Sequence, residues 1–344
     1  MARALDITEV TRDVAAMARA SEDDLIARFF APLAGEGALA LKDDAAVLAP
    51  TPGHELVVTT DAVVAGVHFL ADDPASSIGR KALAVNLSDL AAKGADPRGF
   101  LLTLALPQDW TECWLADLAR GLGDAARAFG CPLLGGDTVR SASGAWLSVA
   151  AFGEVPTGTT VRRTTARPGD RLCVTGTIGD AVLGLAILQG RSRSWQGAVA
   201  CDARAELVDR YRHPRPRLAA AAAVRAHATA AMDVSDGLAG DLAKMMRASG
   251  ATAEVDLHAV PLSPAARAAV AADPAILDGL VTGGDDYEIL CAVPPARVDA
   301  FIERCAAAGV PAVAIGTVRA GEGLPVFQID GSERRYARGS FSHF

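Results

Sequence analysis

The sequence predicts an α/β protein of the mixed α+β kind, divided into two domains. Short apolar runs that are typical of strands alternate with longer stretches of helical periodicity along most of the chain. The chain has 344 residues, and at this length a single hydrophobic core usually gives way to two. Hydrophobic residues make up 51% of the sequence, which is enough apolar material for both cores.

The first domain is preceded by an N-terminal extension. Residues 1–24 are polar and rich in alanine and lack a strong apolar helical face, so we interpret them as loosely attached. The first domain is then expected to cover residues 25–155. Its predicted elements are strands at 56–64, 100–106, 131–134 and 145–152, and helices at 74–93 and 111–129.

Turn residues mark the connection to the second domain. The segment 155–160 contains Pro156, Gly158 and three threonines, and a new strand begins at Arg171. We therefore assign residues 160–344 to a second α/β domain. Its predicted elements are strands near 171–175, 230–234, 252–257, 287–293 and 312–318, and helices near 179–190, 203–212, 216–227, 237–249 and 295–308.

Charge and hydropathy disfavour two classes of partner. The 33 basic and 41 acidic residues give a net charge of −8 without any basic block, so no nucleic-acid partner is expected. Acidic and basic side chains interrupt the first twenty residues, where a signal peptide needs an apolar stretch, and no run reaches the roughly 18 apolar residues of a membrane span. We expect a soluble, cytoplasmic protein with no membrane partner.

Aspartates recur in turns marked by glycine, serine or threonine, each next to an apolar run. They lie in Asp43-Asp44, Thr60-Asp61, Ser88-Asp89, Gly136-Asp137, Asp233-Val234-Ser235-Asp236 and Asp285-Asp286. If the fold gathers even half of these carboxylates, their mutual repulsion is large unless cations lie among them. Hard oxygen ligands of this kind suit Mg²⁺. The pattern therefore favours a protein that handles phosphates with magnesium.

The helix predicted at 74–93 carries a candidate coordinating face. Asn86, Asp89 and Lys93 are spaced to share one face, beside an apolar stripe of three leucines. Thr59-Thr60-Asp61 ends an apolar run, where side chains emerge from a sheet edge. A solvated polar face for the helix, and a turn former or helix cap for Asp61, are the structural alternatives.

Two glycine-rich turns could approach a phosphate. Gly135-Gly136-Asp137-Thr138 follows a short apolar run, so the backbone could come close to a ligand just before a carboxylate. A tight hairpin turn explains the same spacing equally well. The stretch from Thr175 to Asp180 joins a strand to a helix and offers a helix N-terminus to an anion, a weak signal in any α/β protein. No Walker lysine loop, nucleophile elbow or zinc-protease motif occurs.

These residues resemble the bacterial thiamine-monophosphate kinase family over about residues 25–344. Five stretches in the same order carry the resemblance. They are Thr60-Asp61 with Gly66-Val67-His68-Phe69, Lys81 to Ala92 with Gly94-Ala95-Asp96-Pro97, Gly135-Gly136-Asp137-Thr138, Asp233-Val234-Ser235-Asp236-Gly237-Leu238, and Gly284-Asp285-Asp286-Tyr287-Glu288.

The resemblance implies a fold and a reaction. The fold is the two-domain architecture shared with aminoimidazole ribonucleotide synthetase, in which the N-terminal domains pair to form a homodimer. The reaction is a direct in-line transfer from ATP to thiamine monophosphate, giving thiamine diphosphate, assisted by several Mg²⁺ ions. The expected small-molecule partners are therefore ATP and thiamine monophosphate, with ATP as co-substrate.

The resemblance also implies roles for individual residues. The Mg²⁺ ligands would be Asp44, Thr59, Thr60, Asp61, Asp89, Asp137, Asp233 and Asp236. The ATP contacts would be Gly136, Asp137, Arg163 and Ser235. The thiamine side would be contacted by His68, Asp285 and Tyr336.

Two segments depart from the family pattern. The family usually has Gly-x-Gly-Asp-Asp before the first carboxylate pair, where this chain has Ala40-Leu41-Lys42-Asp43-Asp44. Lys42 could weaken a glycine-dependent turn or place a cation beside the phosphates. The C-terminus also differs, so that either Tyr336 or Phe341 could cover the thiamine ring or simply pack.

Two other functions are compatible with the pattern. One is a sister ATP-dependent synthetase, such as aminoimidazole ribonucleotide synthetase; selenophosphate synthetase is disfavoured because the first cysteine is Cys113. The other is a Mg-nucleotide-binding protein without activity. The retained carboxylates argue against the latter, because keeping them close together without a metal is costly.

Overall fold

The computed structural model describes residues 21–337 and 339, so residues 1–20 of the predicted extension and Phe341 lie outside the described residues. A mixed four-stranded sheet forms the first domain. Its strands are β1 (His54–Val64), β2 (Asp96–Leu106), β3 (Leu133–Arg140) and β4 (Trp146–Pro156). They lie in the order β1-β4-β2-β3, with β2 and β3 parallel and the other neighbours antiparallel. Short helical turns between Glu22 and Leu41 precede β1.

Two helices cover one face of this sheet. They are α1 (Ala75–Ala92) and α2 (Glu112–Phe129). The leucine stripe of α1 is fully buried in the core of the domain. The hydroxyl of Thr111 accepts a hydrogen bond from the backbone N–H of Trp114 and so begins α2, and Gly130 ends it in the left-handed conformation.

The opposite face of the first sheet is open and apolar. Four large hydrophobic side chains on it are unusually exposed: Leu56 by 41%, Val58 by 58%, Leu101 by 36% and Val139 by 36%. Strand register places all four on the side away from α1 and α2. A surface of this kind is typical of a protein interface.

The second domain is built on a seven-stranded mixed sheet in the order β11-β10-β7-β9-β5-β8-β6. Its strands are β5 (Arg171–Thr175), β6 (Ala230–Val234), β7 (Thr252–Asp256), β8 (Glu288–Val293), β9 (Ala312–Arg319), β10 (Val326–Ile329) and β11 (Ser332–Arg334). Its helices are α3 (Asp180–Leu188), α4 (Cys201–Arg212), α5 (Ala221–His227), α6 (Leu238–Ser249), α7 (Pro264–Ala272), α8 (Leu277–Thr282) and α9 (Val298–Ala307). Separate apolar clusters around α6 and α9 cover the two faces.

Helix α1 also contacts the second domain. The ammonium of Lys93, just beyond its C-terminus, donates a hydrogen bond to the carbonyl oxygen of Ala231 in β6 at 2.8 Å. Ala91 and Ala92 pack in the same cluster as Val224 of α5. One helix is thus shared by both domains. Within the part of the chain that the structure describes, none of the helices has the length and apolar character needed to cross a membrane.

The two-domain α/β fold with mixed sheets is confirmed, while several element boundaries differ from the prediction. Strand β3 continues through the glycine pair to Arg140, so residues 135–138 form no turn. Helices α7 and α8 and strands β10 and β11 were not predicted. Helix α7 has only one large apolar side chain, Val270, among its alanines, and the last two strands have only 4 and 3 residues. The proposed domain boundary falls between β4 and β5 and stays a prediction.

The segment before the first carboxylate pair is strained, at a position other than Lys42. Leu39, Ala40 and Leu41 have φ values of 51°, 58° and 54°, in the left-handed region that favours glycine. Lys42 has a φ of −111°, so its backbone conformation needs no glycine. The family usually has glycine at positions 40 and 42. Of these two, only Ala40 has the left-handed backbone conformation that favours glycine.

Ala40→Gly is expected to raise the free energy of unfolding by roughly 0.5–1 kcal/mol. Relief of the left-handed backbone contributes about 1–2 kcal/mol, and the greater freedom of the unfolded chain offsets part of it. Urea unfolding followed by circular dichroism measures the change. Lys42→Gly is the matched control and should destabilise; equal effects of both variants would contradict the assignment of strain to Ala40.

Candidate functional site

A cavity of about 760 Å³ lies between the two domains, and we call it the interdomain cavity. Five of the residues predicted for the site line it: Asp61, His68, Ser235, Asp236 and Asp285. The rest of its wall is largely apolar, and includes Trp195 and Tyr287, which are 3% and 7% exposed. Trp195 was not predicted from the sequence, because a single tryptophan in a polar stretch shows no periodicity from which its burial could be inferred.

Four carboxylates at this cavity and just beneath it act on one another. Asp61 is open to the cavity, yet the surrounding protein and then Asp89 and Asp236 raise its pKa to about 6. Burial, followed by the charge of Asp89, raises the pKa of Asp233 well above its ordinary value. Keeping Asp61 and Asp233 ionised at neutral pH is therefore costly unless a cation binds at the cluster. In the region that the structure describes, no three acidic, His or Cys side chains form a metal cage by themselves.

The polar face of α1 holds this cluster in place. The hydroxyl of Thr59 in β1 donates a hydrogen bond to Asp89 at 2.5 Å, and the backbone N–H of Asp61 donates to the side-chain oxygen of Asn86 at 2.8 Å. Asn86 is fully buried. The face is thus a buried bridge to the edge strand β1, and the alternative of a solvated polar face is wrong.

The loop after β6 is organised by two residues that sequence reasoning missed. The backbone N–H groups of Ser235 and Asp236 donate to one carboxylate oxygen of Asp241, at 3.0 and 2.9 Å. Lys244 pairs with both Asp236 and Asp241. The sequence signal that could have identified Asp241 is an acidic residue in the first turn of a helix that follows a glycine. These contacts fix the backbone from which Asp236 reaches the interdomain cavity.

A second cavity of about 810 Å³ lies beside β3 and the segment 43–48, and we call it the sheet-face cavity. Three predicted site residues line it: Asp44, Gly136 and Asp137. A Cβ added to Gly136 would lie 1.9 Å from the carbonyl oxygen of Leu102. Glycine is therefore required here by the neighbouring strand β2, whatever ligand the cavity takes.

One chain does not bring Asp61 and Asp137 together. Asp137 is in register with Thr103 in β2. Through β4, that row continues to Ala62 in β1. Because side chains alternate between faces, Asp137 points away from the face of Asp61. The two strands are opposite edges of the sheet, three strand spacings apart, or roughly 14 Å.

The other predicted site residues have varied surroundings. The backbone N–H of Val64 donates to Nδ1 of His68 at 3.1 Å, which orients this ring at the cavity wall. The hydroxyl of Thr60 donates to the carbonyl oxygen of Val149 at 3.0 Å. Arg163 is exposed and lies close enough to Lys93 to lower its pKa, an effect in which burial of the lysine comes first.

Tyr336 does not line the interdomain cavity. Its hydroxyl donates to Asp278 at 2.6 Å, and its ring packs edge-on against Phe327 with centroids 5.1 Å apart. In this structure Tyr336 therefore packs within the second domain, which is the alternative given for it above. Phe341, the other aromatic candidate, lies outside the described residues.

The helix N-terminus considered as an anion site is already occupied by an internal side-chain carboxyl group. The backbone N–H of Gly179, just before α3, donates to both carboxylate oxygens of Asp286 at 2.9 Å. Asp286 is 2% exposed, and burial raises its pKa well above the ordinary value. The glycine-rich turn thus serves an internal carboxylate.

A pH series tests the pKa assigned to Asp61. Its folded-state pKa of about 6 lies above the ordinary 3.8, so the folded protein holds this proton more tightly than the unfolded chain does. Ionisation of Asp61 therefore costs stability above pH 6, and the cost disappears as the pH falls toward 4. Without divalent cations, Asp61→Asn should have a higher Tm than the unmodified protein at pH 7.5, and this difference should shrink by pH 5. A difference that stays constant with pH would contradict the raised pKa.

Comparisons with known proteins confirm the resemblance inferred from the motifs. The AIR synthase related protein N-terminal and C-terminal domain families match residues 42–155 and 167–327. A thiamine-monophosphate kinase of Caulobacter vibrioides is 45% identical over 322 residues, covering 92% of this chain and 89% of that protein.

Solved structures agree in fold and in sequence. The thiamine-monophosphate kinase from Stenotrophomonas maltophilia K279a superposes with a TM-score of 0.75 at 37% identity, covering 86% of this chain and 91% of that one. The AaThiL complex with AMPPCP and TMP gives a TM-score of 0.73 at 26% identity, covering 100% of both chains. This chain therefore belongs to the thiamine-monophosphate kinase family, among the AIR synthase related proteins.

Proposed function

We propose that the protein transfers the γ-phosphoryl group of ATP to thiamine monophosphate, giving thiamine diphosphate and ADP. The observation that carries this proposal is the interdomain cavity, whose lining combines carboxylates with aromatic side chains. The AaThiL complex with AMPPCP and TMP, which this chain matches along its whole length, supports both substrates. We place the reaction in the cytoplasm, where ATP is available.

The cavity suits the acceptor chemically. Thiamine carries a positive thiazolium ring and an aromatic pyrimidine. The cavity is lined by the carboxylates of Asp236 and Asp285, each also paired with a lysine, and by the flat side chains of Trp195 and Tyr287. Aromatic faces and carboxylates are the groups that bind a cationic ring best. His68, at the same wall, is proposed as a further contact to the acceptor.

The acceptor phosphate needs no general base. A phosphate monoester has its second pKa near 6, so the attacking oxygen is already largely ionised at pH 7 and requires no deprotonation. The protein must instead bring two polyanions together and align them. We propose that Ser235 and the guanidinium of Arg163 contact the ATP phosphates, because a guanidinium fork matches phosphate oxygens.

The residues fit Mg²⁺ as the neutralising cation. Their donors are carboxylate and hydroxyl oxygens, and Mg²⁺ is normally held by one or two carboxylates together with water and substrate phosphates. A Mg²⁺ ion held partly by water and phosphate would explain two features of the site. The carboxylates have raised pKa values, and among the described residues they do not form a complete set of metal ligands by themselves. When bound, Mg²⁺ would neutralise the phosphates and stabilise charge on the transferring group. The proposed ligands beside the interdomain cavity are Thr59, Asp61, Asp89, Asp233 and Asp236. Thr60 is also a proposed ligand, but its side chain lies on the opposite face of β1.

We propose that more than one ion takes part. Asp44 and Asp137 line the sheet-face cavity, and Asp137 and Asp61 are too far apart in one chain to share an ion. Asp44, Gly136 and Asp137 would thus bind Mg-nucleotide through an ion other than the one bound by Asp61. Isothermal titration with Mg-ATP should give weaker binding for Asp137→Asn, and unchanged binding would remove Asp137 from this role.

We also propose that the open face of the first sheet forms a homodimer. It combines exposed large apolar side chains with strand edges in one patch. Pairing of two copies through this face would cover surface that a monomer leaves in water. Sedimentation equilibrium should give twice the mass of one chain; a single-chain mass at micromolar protein would contradict the proposal.

Product analysis tests the proposed reaction directly. The protein is incubated with ATP, Mg²⁺ and thiamine monophosphate, and thiamine diphosphate is separated from the substrates by chromatography. Free thiamine serves as a parallel acceptor. Thiamine diphosphate formed only from the monophosphate is the expected result. Absence of product despite calorimetric binding of Mg-ATP would instead favour a sister ATP-dependent synthetase.

A further inference from the structure

Lys81 is a buried cation of the first domain that faces the second. It lies in α1, and its side chain is 3% exposed. Its ammonium donates a hydrogen bond to Oδ2 of Asp285 at 3.1 Å. The same nitrogen lies 4.1 Å from the centroid of the Tyr211 ring, in α4 of the second domain. A buried ammonium is costly unless its charge is matched, so this pairing fixes both domains at one point.

Asp285 lies in a loop that needs such a contact. It has a φ of 74°, which is unfavourable for a residue other than glycine. Its backbone N–H donates to the carbonyl oxygen of Ser235 at 2.8 Å, and its side chain, 22% exposed, lines the interdomain cavity. The position of this carboxylate therefore depends on contacts made outside its own loop.

The ring of Tyr211 covers the ammonium of Lys81. Burial, followed by the charges of Asp285 and Asp73, raises the pKa of its hydroxyl, so the ring stays neutral over the working range. The hydroxyl reaches the carbonyl oxygen of His68 at 3.5 Å. An ammonium over an aromatic face is held more strongly where water is excluded. Lys81 thus has a defined location between α1, α4 and the loop of Asp285.

We propose that Lys81 is a positioning residue that sets the Asp285 carboxylate for the cationic ring of the acceptor. The inference rests on the proposed function and adds to it the residue that controls acceptor affinity. Lys81 does not itself line the interdomain cavity. One ammonium contact occupies only part of the accepting capacity of a carboxylate, so Asp285 keeps acceptor sites for the substrate.

Lys81→Met tests the inference, because methionine keeps much of the volume and removes the charge. The KM for thiamine monophosphate is expected to rise at least tenfold, on the scale of one lost charged hydrogen bond. The kcat and the KM for ATP should change less than about twofold, since the transferring group and its ligands are untouched. Calorimetry with thiamine monophosphate alone should show the same loss of affinity.

Arg225→Met is the matched control. Arg225 also joins the two domains, through the carbonyl oxygen of Gly94 and the carboxylate of Asp96, and it does not line the interdomain cavity. This variant should leave the KM for thiamine monophosphate unchanged. An equal rise in both variants would show that any interdomain contact has this effect, and would overturn a specific role for Lys81.

A double variant tests whether Lys81 affects acceptor binding through Asp285. If Lys81 acts through Asp285, then Asp285→Asn and the combined Lys81→Met/Asp285→Asn should have the same KM for thiamine monophosphate. The double variant also serves as a control for misfolding, because it removes both charges and leaves neither Lys81 nor Asp285 unpaired. A further rise in the double variant, or an unchanged KM in Lys81→Met, would overturn the inference. Absence of thiamine diphosphate from the unmodified protein would instead contradict the proposed function.

Discussion

Asp61→Asn is expected to lower kcat for thiamine diphosphate formation at least about 100-fold, the scale for losing one preorganised charge at a reacting group. Asparagine keeps the shape of the side chain and its place at the edge of β1, where Asn86 holds the backbone. It loses the negative charge that the proposed Mg²⁺ requires. Steady-state rates at saturating ATP and several Mg²⁺ concentrations measure the effect.

The control for this variant is Glu322→Gln, which removes an exposed carboxylate outside both cavities. It should retain full activity. The Tm of Asp61→Asn should be no lower than that of the unmodified protein at pH 7.5, because the variant relieves repulsion from Asp89 and Asp236. Activity within about threefold of the unmodified protein would remove Asp61 from the set of metal ligands.

Glu288→Gln is expected to have the largest effect on stability, a loss of about 3–5 kcal/mol in the free energy of unfolding. Glu288 is fully buried at the start of β8. It accepts hydrogen bonds from Arg210 at 2.8 Å, from Nε of Arg217 at 2.6 Å and from the hydroxyl of Thr175 at 2.8 Å. Glutamine of the same size would leave two guanidinium groups without their matching charge.

Urea unfolding, followed by circular dichroism and by tryptophan fluorescence, measures this loss. Glu206→Gln is the control, because it breaks a pair with Arg215 whose side chains are 57% and 42% exposed. Exposed pairs contribute at most about 1 kcal/mol. If the two variants were equally stable, the buried network would not be what holds β8 to α4.

Most of the architecture could be predicted because the first half of the chain has strong periodicity. The leucine stripe of α1 is one example: it is fully buried, as predicted, although the polar face of the same helix is largely buried as well. Its polar face was also correctly assigned to Asn86 and Asp89 at fixed helical spacing, since side chains one turn apart must lie together. What helical spacing cannot predict is the partner, and β1 proved to be that partner.

The candidate site was predicted less completely, because strand order is not visible in local patterns. The motifs place Asp61 and Asp137 at similar turns, yet β1 and β3 lie at opposite edges of one sheet. Likewise, the ion pair between Lys81 and Asp285 joins residues that are 204 positions apart in the sequence. Local periodicity cannot predict a contact at such a separation. Long-range contacts of this kind depend on the packing of the two domains.

The buried carboxylate of Asp286 has a consequence for how the protein meets its polyanionic ligands. The positive end of a helix is a general binding site for phosphate groups, and α3 contributes side chains to the wall of the interdomain cavity. Both carboxyl oxygens of Asp286 accept hydrogen bonds from the backbone N–H of Gly179, so this end of α3 is occupied by a buried internal side chain. The backbone N–H of Gly179 is therefore unavailable to a phosphate bound in the cavity, which leaves phosphate binding to the other groups proposed above.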